Sequence, residues 1–242
     1  MAGIRRWENA LVGTSPSDLL VGCARGYLLV DEWTTASIAG ETGWDNATAS
    51  GGSVALSTNG IDYNHVGIVT LSRGTTAGGR AALHRGGNTT VLGGGALAME
   101  CIVRFGANIP TSGENYGVVV GLGDTLTALS QTDGVYFVFD RNLSTANWYC
   151  VTASNGTRTQ TNSGVAFAAS TWVKLRIEVD ASGAEARFYV NDVLVVTTYA
   201  NIPLGTSRIC SPQIALVGVA GTADRTFDID ACAFGQTFST PR

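Results

Sequence analysis

Two carboxyl groups held about 5–10 Å apart are the working parts of a glycosidase. The nearest candidate pair in this chain is Glu178-Val179-Asp180. Ser182 and Gly183 stand where a third acid would complete such a motif, and Asp180 falls in a turn, so a solvated strand end is expected there. Asp228 and Asp230 share one face of a strand and could hold calcium together with a loop carbonyl. No run of alternating acids surrounds them, and pairing with arginine or plain solvation is the expectation. His65 and His84 are the only histidines and form neither a ligand pair nor a triad motif. The glycine-rich stretch 86–95, GGNTTVLGGG, lacks the Lys-Ser or Lys-Thr of a phosphate loop and reads as a connection between strands. No catalytic residue, metal or cofactor is assigned.

Binding side chains are the other chemistry on offer. Trp44, Trp148, Tyr149 and Tyr116 carry flat rings on which a sugar could stack, with core packing as the blander fate of each. Arg5, Arg6 and Trp7 cluster near the start of the chain and are candidate contacts to a partner protein.

The elements that must position these residues are strands. In 172–179, Val173, Leu175, Ile177 and Val179 alternate with Lys174, Arg176 and Glu178, which puts a dry and a wet set on opposite faces. Asp180 to Gly183 turns the chain, and Ala184 to Val190 keeps the alternation. Asn191-Asp192 tolerates left-handed geometry and predicts a tight hairpin. That hairpin sets Val190 against Val193 and Phe188 against Val195. Further strands are expected near 27–33, 53–57, 65–72, 79–84, 96–105, 115–123, 134–140, 147–153, 213–221 and 225–234, with Pro203 and Pro212 bracketing a connection. In the last strand Phe227, Ile229, Ala231 and Ala233 are expected on one face and Asp228 and Asp230 on the other. Many short strands at close spacing, with no amphipathic helix and no fixed repeat, predict one sandwich. Residues 1–26 have no sustained period and read as an irregular arm, followed by a sandwich over 27–242.

Composition narrows the classes. Charged residues make up 14% of 242 and the formal net charge is −4, so bulk electrostatics offers nothing to nucleic acid. No apolar run approaches the roughly 20 residues of a membrane helix, and the first residues lack the pattern of a secretory signal. Cys23, Cys101, Cys150, Cys210 and Cys232 show no zinc or redox spacing and are expected to be free thiols in a reducing compartment.

The order of the strand motifs carries a resemblance. HVGIVTLSRGTTAGGRAAL, an E-x-x-V-R-F strand, DGVYFVFD, NWYCVTASNGT, TWVKLRIEVD with ARFYVNDVLV, an N-I-P loop and TFDIDACAFGQ follow one another over Tyr27 to Gln236. This series resembles the concanavalin A-like (laminin-G-like) jelly-roll domains of tailed-phage virion proteins. The resemblance implies an all-β sandwich of two antiparallel sheets. It also implies a non-enzymatic virion protein made in the host bacterial cytoplasm, with capsid decoration (cement) the first expectation. Its expected partners are the major capsid protein and copies of itself, as a homotrimer by analogy. A tail or fibre appendage binding host glycans is the alternative. A glycan-degrading enzyme is the third, since the acid set of the fold's glycosidases and the Q-x-H strand of its lyases are missing.

Overall fold

The computed structural model describes residues 26–33, 43–57, 65–86, 90–143 and 146–238. These form β1 (Gly26–Asp31), β2 (Asp45–Ala49), β3 (Ser53–Ser57), β4 (Ile68–Ser72), β5 (Arg80–His84), β6 (Thr90–Val91), β7 (Leu97–Phe105) and β8 (Tyr116–Gly123). They continue with β9 (Gly134–Phe139), β10 (Asn147–Ser154), β11 (Thr157–Ala166), β12 (Trp172–Val179), β13 (Ala186–Val190), β14 (Val193–Thr198), β15 (Ile209–Gly218) and β16 (Thr226–Thr237). Two antiparallel eight-stranded sheets result. The first runs β14-β13-β12-β7-β16-β4-β3, with β1 also on β16; the second runs β11-β10-β9-β8-β15-β5-β2, with β6 also on β15. The chain is an all-β jelly-roll sandwich.

In the first sheet the period-two pattern sorts the side chains. Leu175, Ile177 and Val179 of β12 and Met99, Cys101, Val103 and Phe105 of β7 face the second sheet in one continuous core. Phe105 lies at its centre, with the rings of Tyr116, Phe139, Trp148, Phe167 and Phe227 at centroid distances of 4.9 to 6.2 Å. Such tilted and edge-on contacts add to what area burial alone provides.

The central strands of the second sheet, β8, β9 and β15, are dry on both faces. Val118, Val120, Phe137 and Ile214 enter the shared core. Val119, Tyr136, Val138, Val151, Ala215 and Val217 point the other way and pack under Leu126, Leu129 and Leu143 from the loops. Gly117 admits this cover: a Cβ there would lie 2.4 Å from a Leu129 methyl. Beyond one end of the sandwich, the fully buried Arg73 guanidinium donates to the carbonyls of Asn115, Ala220 and Gly221 and ties two loops together.

Several sequence expectations are corrected. A bulge in β16 between Ile229 and Ala231 shifts the register, so Phe227, Ile229, Cys232 and Phe234 line the core while Ala231 and Ala233 pair with Ile102 and Glu100 on the outside. A bulge puts two successive residues against one partner and so reverses the faces beyond it. The hairpin after Asn191-Asp192 forms with both residues at positive φ and pairs Val190 with Val193, but a second bulge sets Phe188 opposite Val196 rather than Val195. Pro212 lies inside β15. It sits where the neighbouring strand changes from β6 to β5, a gap in which no ladder donor is needed. The polar β11 and the short β2 and β6 were not expected as strands.

The expectation of five free thiols also fails. Cys101 and Cys232 stand directly opposite on β7 and β16 and are joined in a disulfide across 131 residues of sequence. Cys150 and Cys210 are free and buried, and burial pushes both thiols well above their ordinary range. Cys23 lies outside the described residues.

Candidate functional site

Because the second sheet is closed by its loops, the outward face of the first sheet is where polar chemistry collects. The pairing of β12, β7, β16 and β4 sets Trp172, Arg104, Asp228 and Thr70 in one row across four strands. Arg104 donates from Nε (3.0 Å) and Nη2 (2.6 Å) to Asp228 Oδ2, and the Thr70 hydroxyl donates to Oδ1 at 2.6 Å. The guanidinium lies 4.3 Å from the Trp172 ring centroid, a cation–π contact. His65 stacks on the same ring at 4.5 Å, with its Nδ1 2.9 Å from Asp230 Oδ2. The β16 bulge is what brings Asp230 out to the histidine. Beside this row is a half-open cleft of about 530 Å³ lined by Ala55, Ser57, Thr70, Arg104, Thr226 and Asp228. Its lining mixes a fixed ion pair, hydroxyls and short apolar side chains.

A second set of charges follows along β12 and β13. Glu178 accepts from the Tyr189 hydroxyl at 3.0 Å and has Arg176 Nη1 at 3.2 Å and Arg187 Nη1 at 3.6 Å. The Arg176 guanidinium also covers the Tyr189 ring at 4.1 Å. Glu100, opposite Arg176, lies 4.0 Å from Lys174 Nζ and 3.9 Å from Arg176 Nε. It is only 3% exposed. Burial pushes its pKa up to about 7 despite the two cations, which act in the opposite direction.

The acids singled out in the sequence are thus engaged. Burial works to raise the Asp180 carboxyl, but hydrogen bonds from the Ser182 hydroxyl and from the Glu185 and Ser182 backbone N–H groups outweigh it and hold the group below its usual range. It closes the turn from β12 to β13 and is not merely a solvated strand end. Asp228 pairs with arginine. Among the described residues no three His, Cys, Asp or Glu side chains converge as a metal site.

Three of the aromatic candidates, Trp44, Trp148 and Tyr116, are corrected. Trp148 is 0% exposed in the central core, and Trp44 is 3% exposed against Trp33, so neither ring presents a face to a sugar. Tyr116 is buried as well, its hydroxyl donating to the Asn108 carbonyl. Tyr149 belongs to the outward face of the second sheet, bonded to the Leu143 carbonyl. Arg5, Arg6 and Trp7 lie outside the described residues. What the sequence reading missed is Trp172. It begins the wet side of the alternation continued by Lys174, Arg176 and Glu178, and an aromatic ring on a wet face was the available signal.

With the geometry in hand, the relatives can be placed. The model of a family described as "SO2946-like, C-terminal domain" matches residues 64–230, more than half of the chain. The chain belongs to that family. As an SO2946-like domain it superposes on a protein of unknown function, SO2946 from Shewanella oneidensis MR-1, with a TM-score of 0.66 at 15% identity, over 95% of this chain and 97% of that one. It is similar to the carbohydrate recognition domain of Emp47p (TM-score 0.59, 12% identity, 93% and 99% covered). It is equally similar to an endo-β-1,4-glucuronan lyase from the fungus Trichoderma reesei (TM-score 0.59, 13% identity, 88% and 96% covered). At such identities the likeness establishes the concanavalin A-like fold and no activity. No curated protein matches the SO2946-like chain in sequence.

Proposed function

We propose that this SO2946-like protein is a non-enzymatic structural protein of a tailed-phage virion, displayed on the capsid as a decoration module and synthesised in the host bacterial cytoplasm. Its partners in this role are the major capsid protein and copies of itself. The ordered series of strand motifs supports the virion assignment. One observation supports the non-enzymatic part: the acids facing outward from the first sheet are held by neighbours instead of standing ready for a substrate. Asp228 is locked by Arg104 and Thr70, Glu178 by Tyr189 and Arg176, and Asp180 by its own turn. Glu100 has a pKa suited to proton transfer at neutral pH, yet it lies beneath Lys174 and Arg176 with almost no exposed surface. Attachment is assigned to residues 1–26, with Arg5, Arg6 and Trp7 as the contacts. Deleting residues 1–26 is expected to abolish binding to particles while the circular dichroism of the sandwich stays unchanged; undiminished binding would contradict the assignment.

A second reading is favoured by the cleft beside Arg104 and Asp228: a tail or fibre appendage that binds host glycans. Lectin-like neighbours of the same fold are in keeping with it. Glycan-array binding lost on Trp172→Ala and Arg104→Ala would support this reading. An array without signal at high protein concentration would dismiss it.

A further inference from the structure

Residues 124–133, DTLTALSQTD, join β8 to β9 and fold back over the outward face of the second sheet. The ends of this loop lie side by side, since Gly123 pairs with Gly134. Compact loops of this kind are packed by their own side chains. The Gln131 carboxamide accepts from Thr125 N–H at 2.7 Å and donates to the Ala128 carbonyl at 2.9 Å, and Asp124 Oδ1 accepts from Thr132 N–H at 3.0 Å. Attachment to the sheet is thin by comparison. Among the described residues, no backbone–backbone hydrogen bond joins 124–131 to it. The polar ties of that stretch to the rest of the molecule are Gln131 N–H donating to the Tyr136 hydroxyl at 3.3 Å and Arg158 Nη1 donating to the Ser130 hydroxyl. Leu126 and Leu129 supply the apolar contact, Leu129 over Gly117.

We infer that residues 124–131 are a strap that opens by local unfolding, as one unit, while both sheets stay paired. Opening bares Val119, Tyr136, Val138 and Val217. The unit is set by Gln131: its side chain and N–H hold Thr125, Ala128 and Tyr136 at once, so these bonds break together. The tendency to open is set by Gln213. This residue shares the outward face of β15 with Ala215 and Val217 and is 0% exposed, yet neither its Nε2 nor its Oε1 has a hydrogen-bond partner. A Cβ at Gly123 would lie 2.1 Å from Gln213 Nε2 and 2.5 Å from Gln131 Oε1, so the two carboxamides sit together at the root of the strap. A carboxamide buried without partners bears its full desolvation cost, and opening returns it to water. Segments with few backbone ties and a limited apolar contact are the ones that open below the global transition. The opening does not depend on where the protein is displayed.

Amide hydrogen exchange on the full chain, followed residue by residue by NMR, tests this. Thr125, Gln131 and Thr132 are expected to exchange at one common rate, ahead of Val119 and Val138, which pair with each other in the sheet below. Gln213→Leu removes the unpaired carboxamide and is expected to slow the three strap amides roughly tenfold, with unchanged far-UV circular dichroism. Leu129→Ala, which leaves Gln213 in place, is expected to speed them roughly tenfold. Strap amides that exchange no faster than Val119 and Val138, or at three unrelated rates, would overturn the inference. So would a Gln213→Leu variant whose strap exchanges as fast as wild type or faster, since the carboxamide would then be satisfied in the closed form.

Discussion

The outward faces of the two sheets solve the same problem differently. The central strands of both are largely buried, yet one face is covered by leucines from loops and the other carries long charged side chains of its own. On the second sheet Val119, Tyr136, Val138 and Val217 lie beneath Leu126, Leu129 and Leu143. On the first, Lys174 and Arg176 flank the buried Glu100, Arg176 also pairs with Glu178, and Arg104 pairs with Asp228. The two faces therefore offer different chemistry to their surroundings. A loop-covered apolar face offers a ligand no polar handle, while a laced polar face keeps hydroxyls, guanidinium groups and one stacked indole at the surface.

The sharpest way to break that contrast is to remove a side chain from the loop-covered face. Tyr136→Ala deletes a fully buried ring between sheet and loops and is expected to cost about 3–5 kcal/mol, read as a lower urea midpoint. A loss under about 1 kcal/mol would show that the loops do not seal this face.

The laced face should instead respond to pH. Glu100 has a folded pKa of about 7 against an ordinary 4.5. Between those values the folded protein holds a proton that the unfolded chain has released, so stability falls as pH rises through the window and stays reduced above it. The effect is on the order of 3 kcal/mol. Glu100→Gln is expected to flatten the urea midpoint between pH 5 and pH 8 and to exceed wild type at pH 8. An unchanged slope would mean that Glu100 is solvated.

Asp228→Asn, which removes the charge that Arg104 and Thr70 satisfy, is expected to cost about 1.5–3 kcal/mol by the same measurement. Smallest of all is Asp192→Ala at the exposed end of the ladder, where a solvent-screened pair with Lys174 is worth less than about 1 kcal/mol. If Asp192→Ala matched Asp228→Asn, the row through Trp172 would have no special standing.

The same contrast explains what the sequence revealed. Strands with one wet face announce themselves, and β7, β12 and β13 were legible residue by residue because Met99 to Phe105 and Val173 to Val179 alternate. Their turns were legible too, since Asn191-Asp192 and Gly183 supply the positive φ that the backbone adopts there. β8 and β15 could be located from apolar runs, but their two faces could not be told apart, because Val118 and Val119 are equally dry. Bulges leave no mark in a periodicity count, which sets Ala231 and Ala233 on one face with Phe227 and Ile229 and gives no sign of the Cys101–Cys232 disulfide. The site followed the same rule. For Asp228 the expectation is an arginine partner or plain solvation, but the arginine lies 124 residues away on β7, and His65 reaches Trp172 only through the pairing of β4, β16, β7 and β12. Trp44 and Trp148 were singled out as aromatic residues, and only the packing shows that both belong to the core.

Quantitative mass spectrometry of purified virions is the most direct test of the proposal as a whole. A capsid decoration protein is expected at hundreds of copies per particle, in a fixed ratio to the major capsid protein. A dozen or so copies would move it to the tail and favour glycan recognition, and absence from washed particles would contradict a structural role in the virion.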